Sequence, residues 1–191
     1  MLRTAAISLV LAAAAAAAEA ALPAPGPLSC SACLWAAKAL RAALLEKMPK
    51  RVKAKQRRLL AEEALAGSGA ADGGACAQKR FPKQVVLWVP PSGQSPPSYQ
   101  DFNDVRGGKS NSLTSEHFQL LGTSEAAKGN LTELCAALLR TFQEDLVEKA
   151  ARHEGRMYGA LTEHWLCFRK AQLCTAKEAP PGKDDDEEED L

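Results

Sequence analysis

The chain has 191 residues, a formal net charge of +1, six cysteines and only three Trp, two Tyr and five Phe. That length suits one domain once a leader is removed, and so few aromatics leave Leu and Ala to fill most of the core. The balance excludes a chain that is basic throughout, and no nucleic acid is expected as a partner. Charge is instead divided: Ala21 to Lys183 carries 23 basic against 15 acidic residues, and Asp184 to Asp190 are seven consecutive acids.

In chain order, Met1-Leu2-Arg3 gives a short positive start, Leu9 to Ala18 is uninterrupted apolar sequence, and Ala18-Glu19-Ala20 is an A-x-A cleavage signature. Residues 1–20 therefore read as a signal peptide. The run is shorter than the roughly 20 residues a bilayer requires and is followed by Pro23, Pro25 and Pro27. No later stretch is expected to span, so a soluble product with oxidised thiols is predicted.

Cys33, Ala37, Leu40 and Leu44 recur at helical spacing, with Cys30 about one turn before them, and predict a first helix from Ser31 to Met48 ended by Pro49. A second is predicted from Val52 to Ala66. Its apolar stripe is Leu59, Leu60 and Leu65, and Gly67-Ser68-Gly69 stops it. Lys53, Lys55, Arg57 and Arg58 read as a solvated face, or as a surface for a membrane or acidic partner. Gln84 to Val89 fits one strand, and Pro90, Pro91, Pro96 and Pro97 make the next stretch a loop. Asn130 to Ala151 is the clearest helix, with Cys135, Leu138, Phe142 and Leu146 on one side and Glu144, Asp145, Glu148 and Lys149 mostly on the other. Leu161, Trp165 and Phe168 predict a last helix that opens near Gly155 or Gly159 and closes by Cys174. If helix persists that far, Cys167 and Cys174 share a face. The acidic tail, residues 179–191, is expected to stay unfolded because its like charges repel and nothing apolar offsets the entropy of ordering it.

The cysteines lie two together at the start (Cys30, Cys33), two near the end (Cys167, Cys174) and one each at Cys76 and Cys135. Behind a secretory leader an even count predicts a disulfide framework, and this spacing suggests nested bridges. All fifteen connectivities of six cysteines nevertheless remain open to the sequence.

Leu28-Ser29-Cys30-Ser31-Ala32-Cys33, then Leu131-Thr132-Glu133-Leu134-Cys135 with Phe142-Gln143-Glu144-Asp145-Leu146, then Leu166-Cys167 and Leu173-Cys174 carry a resemblance. The arrangement is similar to the saposin-like helical fold, with an enlarged loop or short strand insertion between the third and fourth cysteines. More specifically it resembles the canopy family of endoplasmic-reticulum proteins. The resemblance covers residues 28–174, strongest from Leu131 onward and weakest from Phe81 to Gly129. It implies a mainly α, disulfide-stapled domain over residues 21–178, bridged Cys30 to Cys174, Cys33 to Cys167 and Cys76 to Cys135. It further implies a non-enzymatic luminal helper, without a cofactor, for the folding and export of secreted or membrane clients, in company with a luminal chaperone. Glu188-Glu189-Asp190-Leu191 partly matches the retrieval signals ending in Glu-Leu, which points to the endoplasmic-reticulum lumen, or to secretion if the signal is not read.

Other chemistries have weaker support. Cys30-Ser31-Ala32-Cys33 matches the C-x-x-C of thiol oxidoreductases, where a helix start lowers the first thiol's pKa, but no strand-helix-strand pattern surrounds it. A saposin-like lipid binder would use the basic run on anionic head groups. Zinc on Cys30, Cys33, Cys167 and Cys174 is disfavoured by the spacing and the compartment. His117, His153 and His164 form no spaced cluster, and Gly107-Gly108-Lys109-Ser110 lacks the first glycine of a phosphate loop. The acidic tail lacks the ligand spacing of a calcium site. Asn130-Leu131-Thr132 is a glycosylation acceptor at the expected helix start, where Asn130 also fits an N-cap.

Overall fold

The computed structural model describes residues 22–48, 52–66, 74–88, 96–103, 124–152 and 163–175. The leader, the acidic tail with its C-terminal tetrapeptide, His117, His153 and Gly107–Ser110 lie outside these residues. Three helices carry the domain: α1 (Pro27–Lys47), α2 (Ala54–Leu65) and α3 (Ser124–Arg152). Between α2 and α3 come a 3₁₀ turn (Gln78–Arg80) and strands β1 (Val85–Trp88) and β2 (Ser98–Asp101), and a π-helical segment (Trp165–Lys170) follows α3. The fold is mainly α and stapled by disulfides, as the sequence predicts.

Helix α1 begins four residues before the predicted Ser31. Pro27 occupies its first turn, where a missing N–H is harmless, and Cys30 N donates to Gly26 O at 2.8 Å. One face is almost entirely small or aliphatic: Ala32, Cys33, Ala36, Ala37, Ala39, Leu40, Ala43 and Leu44 are all buried. Small residues let α2 and α3 approach closely, and all three helices pack on one another. By length and composition alone α1 is long and apolar enough to cross a membrane, with a mean hydropathy of 1.3, although no stretch after the leader is expected to be. Its apolar face is spent inside the protein, where 56% of the apolar stretch is buried.

The inward stripe of α2 differs from the predicted one. Arg57, Ala61, Ala64 and Leu65 are buried, whereas Leu59 is 61% exposed. Arg57 retains only 6% of its surface and so takes a core position that its charge conceals.

Helix α3 starts at Ser124, six residues before the expected Asn130, and buries Leu131, Cys135, Leu138, Leu139 and Leu146. Asn130 therefore lies inside the helix and is not its N-cap. At Phe142 the backbone leaves helical geometry (φ −120°, ψ 17°). One residue earlier the Thr141 hydroxyl donates to Ala137 O at 2.9 Å, a back-bond that bends helices.

The predicted strand is present as β1, and it has an unpredicted partner. β2 pairs with it antiparallel in the register Val85↔Asp101, Val86↔Gln100, Leu87↔Tyr99 and Trp88↔Ser98. Phe102 N donates to Gln84 O at 2.9 Å. Because hydrogen-bonded pairs alternate, the Tyr99 N–H and C=O point away from β1.

The last helix does not persist to Cys174. In the π segment Ala171 N donates to Leu166 O at 2.8 Å, five residues back. Gln172 then adopts φ 52°, and Leu173 N and Cys174 N both donate to Cys167 O, at 3.0 and 3.2 Å. That reversal, rather than a shared helical face, brings Cys174 back beside Cys167. Leu166 and Cys167 are buried, while Trp165 and Phe168 pack at the margin of the core.

Candidate functional site: the stapled helix ends and the hairpin beside them

Cys30 and Cys33 stand three apart on α1, so their side chains share one face. Cys30 bridges Cys174 (Cα–Cα 4.6 Å) and Cys33 bridges Cys167 (5.8 Å), joining the start of α1 to the π segment and the turn after it. Cys76 bridges Cys135 at 5.6 Å and ties the segment after α2 to α3. All three separations fall in the range an unstrained bridge requires. No cysteine is free, and all six are buried. The C-x-x-C sulfurs are each joined to a C-terminal partner, so neither is an attacking thiolate in this state. Gly26 N also reaches Leu173 O at 3.5 Å, holding the two chain segments together on the same side.

Beside these staples α1 holds the hairpin. Ser31 and Trp35, one turn apart, both bond the backbone of Tyr99: Tyr99 N donates to Ser31 Oγ at 3.0 Å, and Trp35 Nε1 donates to Tyr99 O at 2.9 Å. Two α1 side chains thus satisfy the outward N–H and C=O of Tyr99, groups on the free edge of β2 that would otherwise invite another strand. Asn130 Nδ2 donates to Tyr99 Oη at 3.3 Å, which adds α3 to the same junction. Lys38 lies 4.5 Å from the Trp35 ring centroid. The sequence reading missed Ser31, Trp35 and Tyr99. The one available signal was the i, i+4 placement of Ser31 and Trp35 inside a motif read only for its cysteines. Trp88, within the stretch 84–89 that the sequence predicts as a strand, is the half-buried last residue of β1.

Of the predicted basic face, Lys53, Lys55 and Arg58 are exposed, Arg58 pairing with Glu62 at 3.0 Å, while Arg57 is turned inward. The cleft between Leu40, Arg41 and Leu44 of α1 and Leu146, Trp165 and Leu166 holds about 10 Å³, the space of about one water molecule. On its rim Lys149 and Lys170 lie 5.0 and 5.9 Å from the Trp165 centroid, and Lys170 pairs with Asp145 at 3.0 Å. Arg80, hydrogen-bonded to Glu46 at 2.8 Å, holds that carboxyl below its ordinary value of 4.5, through the hydrogen bond first and through its charge second. His164 is exposed and stacks on Phe168 with centroids 4.9 Å apart. Among the described residues no group of three His, Cys, Asp or Glu side chains is placed to hold a metal ion.

Three buried disulfides belong to an oxidising compartment, the secretory pathway or the extracellular space. Comparison with protein-family models, with curated proteins and with solved structures found no match for the chain.

Proposed function

We propose that the protein is a non-enzymatic folding helper of the endoplasmic-reticulum lumen, acting on secreted or membrane clients alongside a luminal chaperone. The observation that carries this reading is that the start of α1 is locked to the π segment and the turn after it by two adjacent buried bridges, and that the same stretch of α1 holds the β1–β2 hairpin through Ser31 and Trp35. A preorganised surface binds without first losing the entropy of being ordered. The resemblance of residues 28–174 to the canopy family supports the same role, and Glu188–Leu191 supports retention in the lumen.

The test is depletion of the protein in a secreting cell, followed by measurement of the export of a panel of secreted and membrane proteins. Export of a subset falls and is restored by wild type but not by Trp88→Ala, whose purified protein still melts cooperatively. Unchanged export of the whole panel refutes the role, and a collapsed Trp88→Ala places that side chain in the core instead of on the binding surface. Truncating Glu188–Leu191 sends the protein to the medium if the signal is read.

One observation favours lipid binding as a second reading: Leu59, at 61% exposed, projects from α2 near the exposed Lys55 and Arg58. Salt-sensitive binding to anionic vesicles, lost in Leu59→Ser, would support it, and no binding at low salt removes it.

A further inference from the structure

The sequon Asn130-Leu131-Thr132 lies wholly inside α3, more than a turn beyond its start at Ser124. Residues two apart on a helix project to different sides. Asn130 is accordingly exposed, while Thr132 is buried to 5% of its surface. The Thr132 hydroxyl has no hydrogen-bond partner, although most buried polar atoms have one. A helical threonine ordinarily satisfies itself on the carbonyl four residues back, as Thr141 does on Ala137. A valine would fill the same volume without burying an unsatisfied oxygen, so the fold gains nothing from this hydroxyl.

Glycan transfer reads two groups together: the asparagine amide that receives the sugar and the hydroxyl two residues on. We infer that Asn130 is glycosylated on the nascent chain before α3 forms, and that the Thr132 hydroxyl serves that step and not the fold. In the transfer, Asn130 Nδ2 attacks the anomeric carbon of a lipid-diphosphate-linked oligosaccharide. The carbon–nitrogen bond forms, the carbon–oxygen bond to the diphosphate breaks, the lipid diphosphate leaves, and Nδ2 gives one proton to base. Its second proton stays, so the hydrogen bond to Tyr99 Oη can form in the glycosylated protein as it does here. Folding then withdraws the site. α3 turns Thr132 inward, and the Cys76–Cys135 bridge closes three residues beyond it. The inference rests on entry into the secretory pathway and is independent of any client.

The full chain translated with endoplasmic-reticulum microsomes tests it, with protease protection reporting import separately from modification. Imported wild type and Thr132→Ser each carry one amidase-removable glycan, and Asn130→Gln and Thr132→Val carry none. Purified, oxidised, unglycosylated protein offered to solubilised transferase with a lipid-linked donor stays unmodified, while the same chain reduced and alkylated is modified. Thr132→Val melts no lower than unglycosylated wild type. Imported wild type without a glycan, modification of the oxidised protein as fast as of the reduced chain, or a lowered melting temperature in Thr132→Val each overturns the inference.

Discussion

Removing one of the two neighbouring bridges should destabilise the protein far less than the length of its loop suggests. Taken alone, Cys30–Cys174 spans 144 residues and Cys33–Cys167 spans 134, and the chain-entropy relation assigns each about 5 kcal/mol. The bridges are nested, however, and while one is intact the other closes only the three residues from Cys30 to Cys33 and the seven from Cys167 to Cys174. A loop of about ten residues is worth about 2.7 kcal/mol in the same relation. Replacing either pair by alanines should therefore cost about 3 kcal/mol, and replacing both about 8 kcal/mol, leaving a coupling of about 2 kcal/mol that the cavity terms at the four sites largely cancel from. Urea unfolding of the oxidised single-pair and double-pair variants measures it. Single-pair losses of about 5 kcal/mol that add would show that the bridges do not share a loop in the unfolded chain, and would refute the reasoning.

Ser31→Ala and Trp35→Phe each orphan one buried backbone group of Tyr99 and should lower stability by about 1–3 kcal/mol, with faster amide exchange at Tyr99 under Ser31→Ala; unchanged exchange would mean that α1 does not hold the strand. Gln172→Gly removes a side chain from the left-handed region and should raise stability by about 0.5–1 kcal/mol, read as a higher melting temperature; a lower one would show that the Gln172 side chain matters more than its backbone. Arg80 holds the Glu46 carboxyl below 4.5, so the pair's contribution is complete above pH 4.5 and is lost as pH falls through the folded value. The stability difference between wild type and Glu46→Gln should accordingly vanish on acidification, and a difference that grows there would reverse the sign of the argument.

What the sequence disclosed and what it hid follow from how local each signal is. The inward stripes of α1 and α3 were legible because Cys33, Ala37, Leu40 and Leu44, and Cys135, Leu138 and Leu146, repeat at the helical period and are all buried. α2 was misread at Leu59 and Arg57 because hydropathy assigns a leucine inward and an arginine outward. The positions that face the core are nevertheless 57, 61, 64 and 65, an unbroken helical stripe in which an arginine takes the first place. β2 carried almost no pattern of its own. In Ser98-Tyr99-Gln100-Asp101 only Tyr99 is buried, and the strand is fixed by β1 on one side and by Ser31 and Trp35, more than sixty residues earlier, on the other. The end of the π segment was hidden for another reason, since its reversal uses a glutamine where a glycine would have announced the turn.

The composition of α1 explains why the staples sit where they do. Five of its eight residues buried from Ala32 onward along the core face are alanines, which bury little apolar area each, so the helix packs closely but gains little from the hydrophobic effect. An interface of that kind separates easily unless something other than burial holds it. Two bridges at one end supply the hold, and the Tyr99 junction adds directional bonds to the same stretch, at Ser31 and Trp35. The C-terminal half of α1 is secured differently, by the buried Leu40 and Leu44 in the packing of the three helices, by the Arg80–Glu46 pair and by the exposed pair Lys47–Glu63, which contributes little in water. Among the described residues, covalent and directional links are therefore concentrated at the end of α1 that carries the hairpin, where close packing of alanines alone contributes little.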